Sequence, residues 1–180
     1  MQLQDNKYNI QGVDLLEVVD QFGTPTYVYD ADRIAKQYHR LSQAFEGMNT
    51  RLHYAVKALT NINVLKLIKA LGDEVDTVSL LEIHLALKAG FQPQEILYTP
   101  NCVEFEEVEE AIKLGVVLNI DNLPFLEKLG EKYGADLKIC IRINPHITAG
   151  GNEKIQVGHI ASKFGISYSQ KDEILDVVKK

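Results

Sequence analysis

The sequence predicts an α/β fold in which strands and helices alternate, arranged as part of a TIM-type (β/α)8 barrel. Short apolar strands are centred near positions 54, 76, 97, 118 and 140, so they recur about every 21 to 22 residues. One strand, one helix and two short loops need about that length. The helices between these strands end at the residue type that most readily closes a helix, namely Gly72, Gly90, Gly115 and Gly134.

Five such units are compatible with two architectures. One is a complete doubly wound sheet, and the other is the amino-terminal part of a barrel of about 250 residues. A doubly wound sheet that binds nucleotides needs a glycine-rich turn after its first strand, but Lys57-Ala58-Leu59-Thr60 stands there. Neither Gly-x-Gly-x-x-Gly nor Gly-x-x-x-x-Gly-Lys-Ser/Thr occurs in the chain. The sequence therefore favours an incomplete barrel of about five strand–helix units.

The residues before the repeat predict two helices and one strand. Val13 to Phe22 places apolar side chains on one helix face, and Gly23-Thr24-Pro25 ends that helix. Thr26-Tyr27-Val28-Tyr29 consists of residues that favour strands. Asp30 predicts the cap of a second helix that runs to about Phe45.

The repeat begins with Arg51 to Leu59, which predicts a short buried strand that ends on Lys57. Asn61 can cap the helix that follows it. Further strands are predicted over 74–79, 95–99, 116–120 and 137–143, and helices over 80–89, 104–114 and 122–133. Ser169 is the expected cap of a last helix through Ile174 and Val177.

Lys57 is the first candidate functional residue, because barrel enzymes carry their chemistry at the carboxyl ends of the strands. A lysine ammonium with apolar neighbours is destabilised, and the resulting amine can form a Schiff base with a carbonyl compound. Alternatively, Lys57 is an ordinary solvated lysine at the end of a strand.

Polar side chains at the other predicted strand ends would ring Lys57. They are Asp76, Ser79, Thr99, Asn101, Asp121, Arg142 and Asn144. Asp76 and Ser79 can equally cap the next helix, with Glu82 completing a capping box, and Asp121 is interpreted as a cap. Arg142 lies in a nearly continuous apolar strand, so it needs an exit at the strand end or an anionic partner. A phosphate, a phenolate oxygen or a structural aspartate would serve.

Composition narrows the function classes. The chain has 180 residues, 46% hydrophobic and 24% charged, which is typical of a soluble globular domain. Its 19 basic and 25 acidic residues give a net charge of -6, which disfavours nucleic-acid and membrane partners. Cys102 and Cys140 lie outside any metal-binding or disulfide pattern, and Cys140 is interpreted as a core residue. Without a secretory segment or a long apolar run, we expect a cytoplasmic protein.

Residues 145–165 lack any clear periodicity, and long irregular segments inside compact domains tend to be functional. Gly150-Gly151 is a weak indication of a phosphate loop. His146 and His159 have no partner at metal-binding spacing, so no metal site is expected and their role stays open.

Several segments, in order along nearly the whole chain, resemble a known family. Tyr54-Ala55-Val56-Lys57-Ala58 is similar to the pyridoxal 5'-phosphate (PLP) attachment site of the alanine-racemase-like, fold type III PLP-dependent decarboxylases. Within that family the amino-terminal portion of the diaminopimelate decarboxylases is the most similar. The supporting segments are Thr24-Pro25-Thr26-Tyr27-Val28-Tyr29, Asp76-x-x-Ser79-x-x-Glu82, Arg142-Ile143-Asn144-Pro145 and Ser162-Lys163-Phe164-Gly165.

The resemblance implies a site and a reaction. It implies that Lys57 binds PLP covalently, that Asp76 lies beside the lysine, and that Arg142 lies near the ring oxygen of the cofactor. The reaction would convert meso-2,6-diaminopimelate to L-lysine and carbon dioxide in lysine biosynthesis, with the pyridinium ring as electron sink. The complete enzyme would be a cytoplasmic homodimer.

The resemblance also implies a domain division. Family members continue beyond this length into a C-terminal β-domain. Residues 1–30 would pack on that domain, and 31–180 would form the partial PLP-binding barrel. The chain is therefore interpreted as an amino-terminal fragment that is inactive alone.

Other functions stay open. The first is another PLP-dependent decarboxylase of a basic amino acid, namely arginine, ornithine or carboxynorspermidine. The second is a non-catalytic PLP-binding barrel protein. The third is a small interaction domain without a cofactor, in which Lys57 is a surface lysine.

Overall fold

The computed structural model describes residues 2–4, 7–147, 158–159 and 162–179. The chain divides into two compact units, Met1–Thr50 and Arg51–Lys180. The division into 1–30 and 31–180 that the resemblance implies stays a prediction. Within the described ranges, none of the helices combines the length and the apolar character that a membrane span requires.

The first unit contains a small antiparallel sheet and two helices. Its elements are β1 (Gln2–Gln4), β2 (Lys7–Ile10), β3 (Val13–Asp14), α1 (Leu15–Phe22) and α2 (Ala31–Ala44). The middle strand β2 pairs with both β1 and β3. The carboxylate of Asp14 accepts a hydrogen bond from the backbone N–H of Leu16 at 3.0 Å and so caps α1.

Two predictions for the first unit are wrong. Val13 belongs to β3 rather than to the helix, because Gln11 and Gly12 turn the chain at φ 53° and 81° and bring Val13 opposite Ile10. Thr26-Tyr27-Val28-Tyr29 forms no strand, since no described strand pairs with it and strand propensity needs a partner for the backbone. The predicted cap of α2 is confirmed, because Asp30 accepts from the backbone N–H of Arg33 at 2.9 Å.

The second unit is built on a parallel sheet. Its strands are β4 (His53–Ala55), β5 (Glu74–Thr77), β6 (Ile96–Tyr98), β7 (Val117–Ile120) and β8 (Ile139–Ile141). They lie side by side in chain order, and every neighbouring pair is parallel. A doubly wound sheet reverses its strand order at one point, whereas a barrel does not. The order therefore supports the predicted portion of a barrel.

Helices α3 (Ile62–Ala70), α4 (Leu80–Ala89), α5 (Phe105–Leu114) and α6 (Leu123–Tyr133) connect these strands. Side-chain oxygens of Asn61, Ser79 and Asn122 accept backbone hydrogen bonds at the starts of α3, α4 and α6. Gly90 and Gly115 take the left-handed conformation that ends α4 and α5. Local signals thus place these helices close to their predicted bounds.

Alternate residues of the strands form the core. Val75 and Thr77 of β5 are 0% exposed, as are Ile96 and Tyr98 of β6 and Leu118 of β7. Buried side chains of the connecting helices complete this core, among them Leu65, Ile83, Ala86, Val108 and Ala111. Because side chains alternate along a strand, the residues between the buried ones belong to the opposite face of the sheet.

Residues on that opposite face keep partial or full exposure. Asp76, Leu97 and Asn119 are half-buried. Cys140 lies opposite Asn119 in the sheet and is exposed, so its interpretation as a core residue is wrong. The strand is apolar as expected, but its register turns Ile139 and Ile141 toward the core side and Cys140 away from it.

After β8, two further short strands pair in parallel, and the second of them was not predicted. Beyond Arg142, β9 (Ile143–Asn144) pairs with β10 (Ile166–Ser167). The backbone N–H of Arg142 donates to the carbonyl of Ile120 at 2.7 Å, and its carbonyl accepts from the N–H of Ile166 at 2.8 Å. Arg142 therefore joins β7 on one side to β10 on the other.

A last helix, α7 (Lys171–Lys179), follows β10 after the 3-10 turn Tyr168–Gln170. The helix is confirmed, but Ser169 lies inside the turn and is not the cap of α7. Instead, Ser167 accepts the N–H of Ser169 at 3.2 Å. The glycine pair Gly150-Gly151 lies outside the described residues.

Candidate functional site

A cavity of about 580 Å³ opens in the second unit. Most residues that line it lie at or just beyond the carboxyl ends of the parallel strands, where the sequence predicted the site. The lining includes Lys57, Asp76, Thr99, Asn101, Asn119 and Arg142. Three strand-end residues of the predicted ring, Ser79, Asp121 and Asn144, are not part of it.

Lys57 reaches the cavity from the 3-10 turn Val56–Ala58, which follows β4. The strand ends at Ala55, so the prediction that it runs to Lys57 is wrong by two residues. Val56 is 0% exposed and anchors the turn in the core, whereas the side chain of Lys57 is exposed. We expected a buried strand whose lysine is surrounded by apolar side chains. That expectation is also wrong, because the residues of β4 are exposed or half-buried and Lys57 is exposed to the cavity.

Asp76 lies on the cavity face of β5 and belongs to a short chain of hydrogen bonds. Its Oδ1 accepts from the Oγ1 hydroxyl of Thr99 at 2.7 Å, and Thr99 Oγ1 accepts from Nδ2 of Asn119 at 3.4 Å. Asn119 was not predicted as a site residue. The available signal was a single polar residue in the apolar run Val116 to Ile120, but which face it joins depends on the register.

Ser79 has the capping role rather than a site role. Its Oγ accepts from the backbone N–H of Glu82 at 3.3 Å. The carboxylate of Glu82 accepts from the N–H of Val78 at 2.8 Å, one residue before the position that a standard capping box uses. Both side chains thus serve the start of α4.

Asp121 is not the cap of α6, because Asn122 accepts from the N–H of Phe125 at 2.9 Å in that role. Asp121 is 9% exposed and accepts from Nδ2 of Asn101 at 2.7 Å and from Nδ2 of Asn122 at 3.1 Å. Asp121 does not itself line the cavity, but through this hydrogen bond it positions Asn101, which does.

The guanidinium of Arg142 lies over an aromatic ring. Its central carbon is 4.6 Å from the ring centroid of Phe164, and Nζ of Lys163 is 5.1 Å from the same centroid. Among the described residues, no carboxylate forms an ion pair with Arg142. Phe164 and Lys163 belong to a segment that resembles the family, but they were not predicted to line the site.

Gly165 allows this contact to form. It has φ 79°, and an added Cβ would lie 2.8 Å from the backbone nitrogen of Asn144 and 3.0 Å from the carbonyl carbon of Ile143. Glycine is the residue type that adopts this conformation without strain and lets two backbones approach so closely. The close approach places Phe164 next to Arg142.

Asn144, His146 and His159 form a separate group that fixes the chain around β9 and β10. Asn144 is 4% exposed, donates to the carbonyl of His159 at 3.0 Å and accepts the N–H of His146 at 3.0 Å. Nε2 of His146 lies 3.0 Å from Oγ of Ser167. Within the described ranges, no group of three His, Cys, Asp or Glu side chains could hold a metal ion.

The side chains in the cavity suit an anionic carbonyl compound. Lys57 supplies a primary amine, which is the group that forms a Schiff base with an aldehyde. Arg142 and Lys163 add two positive charges, against the single carboxylate of Asp76 in the lining. PLP carries both an aldehyde and anionic oxygens, so the residues present fit this cofactor.

Comparison with known proteins agrees with this fit. Residues 31–180 match the family described as pyridoxal-dependent decarboxylase, pyridoxal binding domain. Diaminopimelate decarboxylase of Methanothermobacter thermautotrophicus is 41% identical over 92% of this chain and 39% of that protein. The crystal structure of diaminopimelate decarboxylase from Helicobacter pylori complexed with L-lysine is 33% identical, with a TM-score of 0.84 over 93% of this chain and 43% of that chain.

A second enzyme type is also similar in structure. Lysine/ornithine decarboxylase from Vibrio vulnificus, complexed with putrescine, is 28% identical, with a TM-score of 0.74 over 92% of this chain and 41% of that chain. The chain thus spans about two fifths of the length of these relatives, 39% in the case of the Methanothermobacter thermautotrophicus protein.

Proposed function

The chain belongs to the pyridoxal-binding domain family of the pyridoxal-dependent decarboxylases, and we propose that it is part of an enzyme that converts meso-2,6-diaminopimelate to L-lysine and carbon dioxide in lysine biosynthesis. The observation that carries the proposal is the cavity in which the amine of Lys57 shares one lining with Asp76 and Arg142. PLP is the cofactor that this family uses and that these side chains fit.

Each of the three residues has a proposed role. When bound, PLP supplies a pyridinium ring that takes up the electron pair left by the departing carbon dioxide. Lys57 holds the cofactor through its amine. Arg142, oriented by the ring of Phe164, offers N–H donors to an anionic oxygen of the cofactor. Asp76 has one oxygen bonded to Thr99, which leaves the other available to accept a hydrogen bond from the side chain of Lys57.

Sequence identity supports diaminopimelate as the substrate. Identity to the two diaminopimelate decarboxylases compared above is 41% and 33%, against 28% to the lysine/ornithine decarboxylase. The second candidate function is decarboxylation of another basic amino acid such as ornithine, and the Vibrio vulnificus neighbour is the observation that favours it. Both candidates use the same cofactor site.

Lys57 provides the direct test of the cofactor site. The folded chain is incubated with PLP and reduced with borohydride, and the labelled peptide is mapped. We expect the label on Lys57, because this amine lines the cavity beside Arg142. The Lys57→Ala variant should lose that label, and the matched control Lys66→Ala, which removes an exposed lysine of α3, should keep it.

Circular dichroism on the same samples establishes that each variant is folded. A folded chain whose label spreads over exposed lysines, with Lys57→Ala labelled as strongly as the parent chain, would contradict the proposed cofactor site. That result would favour the alternative in which the chain is an interaction domain without a cofactor and Lys57 is a surface lysine.

We also propose that the complete enzyme is a cytoplasmic homodimer. The family resemblance supports both statements, and the biosynthetic reaction supports the cytoplasmic location. Light scattering and cell fractionation of the full-length protein are the measurements that test them.

A further inference from the structure

Three neighbouring strands contribute to one directed chain of hydrogen bonds inside the cavity. Asp76 lies on β5, Thr99 directly follows β6, and Asn119 lies on β7. The hydroxyl of Thr99 lies between the other two side chains, 2.7 Å from Oδ1 of Asp76 and 3.4 Å from Nδ2 of Asn119. Thr99 is 9% exposed, so little water can compete for its hydroxyl.

The chemistry of the groups fixes the direction of this chain. A carboxylate only accepts hydrogen bonds, and a threonine hydroxyl has one proton to donate. The proton of Thr99 therefore goes to Asp76, and the lone pair of its oxygen accepts from the amide of Asn119. This arrangement also fixes the orientation of the Asn119 amide, with its nitrogen toward Thr99.

An aspartate at the half-exposed face of a sheet would otherwise sample several rotamers. We propose that Thr99, supported by Asn119, is a positioning residue that holds the carboxylate of Asp76 in one orientation within the cavity that Lys57 also lines. This inference rests on the proposed function, since it concerns how the amine of Lys57 is prepared for PLP. Held in this way, Asp76 would accept a hydrogen bond from the side chain of Lys57 and orient its amine for condensation with the aldehyde of PLP, in which the C=N bond forms and water leaves.

A second threonine provides a matched control. Thr77 is 0% exposed and donates through Oγ1 to the carbonyl of Leu97 at 3.1 Å. It is next to Asp76 in sequence, but it lies on the core side of the sheet. Thr77→Val removes a buried hydroxyl from β5, and Thr99→Val removes one just after β6. Only the second removes a hydrogen bond to Asp76.

The experiment measures the rate at which PLP and borohydride label Lys57, with the PLP concentration varied, together with the midpoint of thermal unfolding. We expect Thr99→Val to lower the labelling rate at saturating PLP about tenfold near neutral pH. Thr99→Ser keeps the hydroxyl and should restore most of the rate, and Thr77→Val should lower the midpoint without slowing the labelling of folded protein.

Asn119 tests whether the two side chains act as one unit. Asn119→Leu should slow the labelling in the parent chain, because Thr99 loses the donor that fixes its direction. The same change should add little in the Thr99→Val background, since residues that act through one another are not additive. Additive effects would contradict the proposed chain.

The outcomes separate this inference from the proposed function. If the parent chain takes no label on Lys57, the proposed function fails and the inference fails with it. If the parent is labelled and Thr99→Val is labelled at the same rate, the cofactor site stands and the positioning role is wrong. A deficit that merely follows the loss of folded protein, as measured for Thr77→Val, also overturns it.

Discussion

In the second unit, the role of a residue depends on whether its side chain lies on the core side or on the cavity side of the sheet. Along β5, Val75 and Thr77 are fully buried in the core, and Asp76 between them lines the cavity. In the turn after β4, Val56 is buried and Lys57 is exposed to the cavity. One step along the backbone therefore separates a side chain that stabilises the fold from one that carries chemistry.

Gly165 carries the sharpest stability prediction at this scale. Gly165→Ala should destabilise the chain by roughly 2–4 kcal/mol, because the left-handed conformation is costly for alanine and the new methyl group meets the backbone of β9. The matched control is Gly130→Ala, which lies within α6 with nothing within 4 Å of the added Cβ. The free energy of unfolding of that variant should rise by about 0.5–1 kcal/mol. Urea unfolding measures both, and equal effects would show that the close approach of β9 and β10 is not tight.

The sequence located the residues that have chemical signals of their own and missed those that depend on geometry. Lys57 and Arg142 could be selected because a lysine or arginine at the end of an apolar strand is unusual, and both line the cavity. Asn119 and Phe164 could not, because their roles follow from strand register and from the approach of β10 to β9. Asn144 was expected at the site, but its amide fixes the chain near His146 and His159.

At the scale of elements, helix starts in the second unit were predictable because their signals are local. Asn61, Ser79 and Asn122 cap three helices through their own side chains. The sheet of the first unit and strand β10 were not predicted, because a strand is defined by a partner that lies elsewhere in the sequence. Thr26-Tyr27-Val28-Tyr29 is the converse case, with strand-forming residues and no pairing strand among the described residues.

The caps lead to a prediction for whole helices. Asn122→Ala should lower the free energy of unfolding by about 1 kcal/mol, since the N–H of Phe125 loses its acceptor at the start of α6. Glu104→Ala is the matched control, because Glu104 occupies the same position at the start of α5 and forms no side-chain cap hydrogen bond. Its effect should be near zero. Chemical denaturation of the two variants checks the difference, and a larger loss for Glu104→Ala would contradict the assignment of the caps.

At the scale of the whole molecule, the parallel order of β4 to β8 confirms the predicted α/β fold and the barrel portion. Regular spacing of strands made this the most predictable level, because the repeat is written along the entire second unit. The family resemblance is likewise confirmed, since it rests on segments distributed over the chain rather than on one motif.

The chain alone should not release carbon dioxide from diaminopimelate. Among the described residues of the lining, Lys57, Arg142 and Asp76 are assigned to the cofactor. Lys163 is the charged group that remains, whereas diaminopimelate carries two carboxylates and two ammonium groups. Measured release of carbon dioxide in the presence of PLP should equal that of Lys57→Ala, with a full-length relative as the positive control. Release well above the Lys57→Ala level would show that this part of the enzyme suffices.

The division of each strand between two faces has a consequence for how such a site evolves. Substitutions at cavity positions such as Asn119 leave the packing against the helices untouched, since the buried neighbours Leu118 and Ile120 remain in place. Evolution can therefore change the chemistry of the cavity and the stability of the fold through different residues, independently of each other.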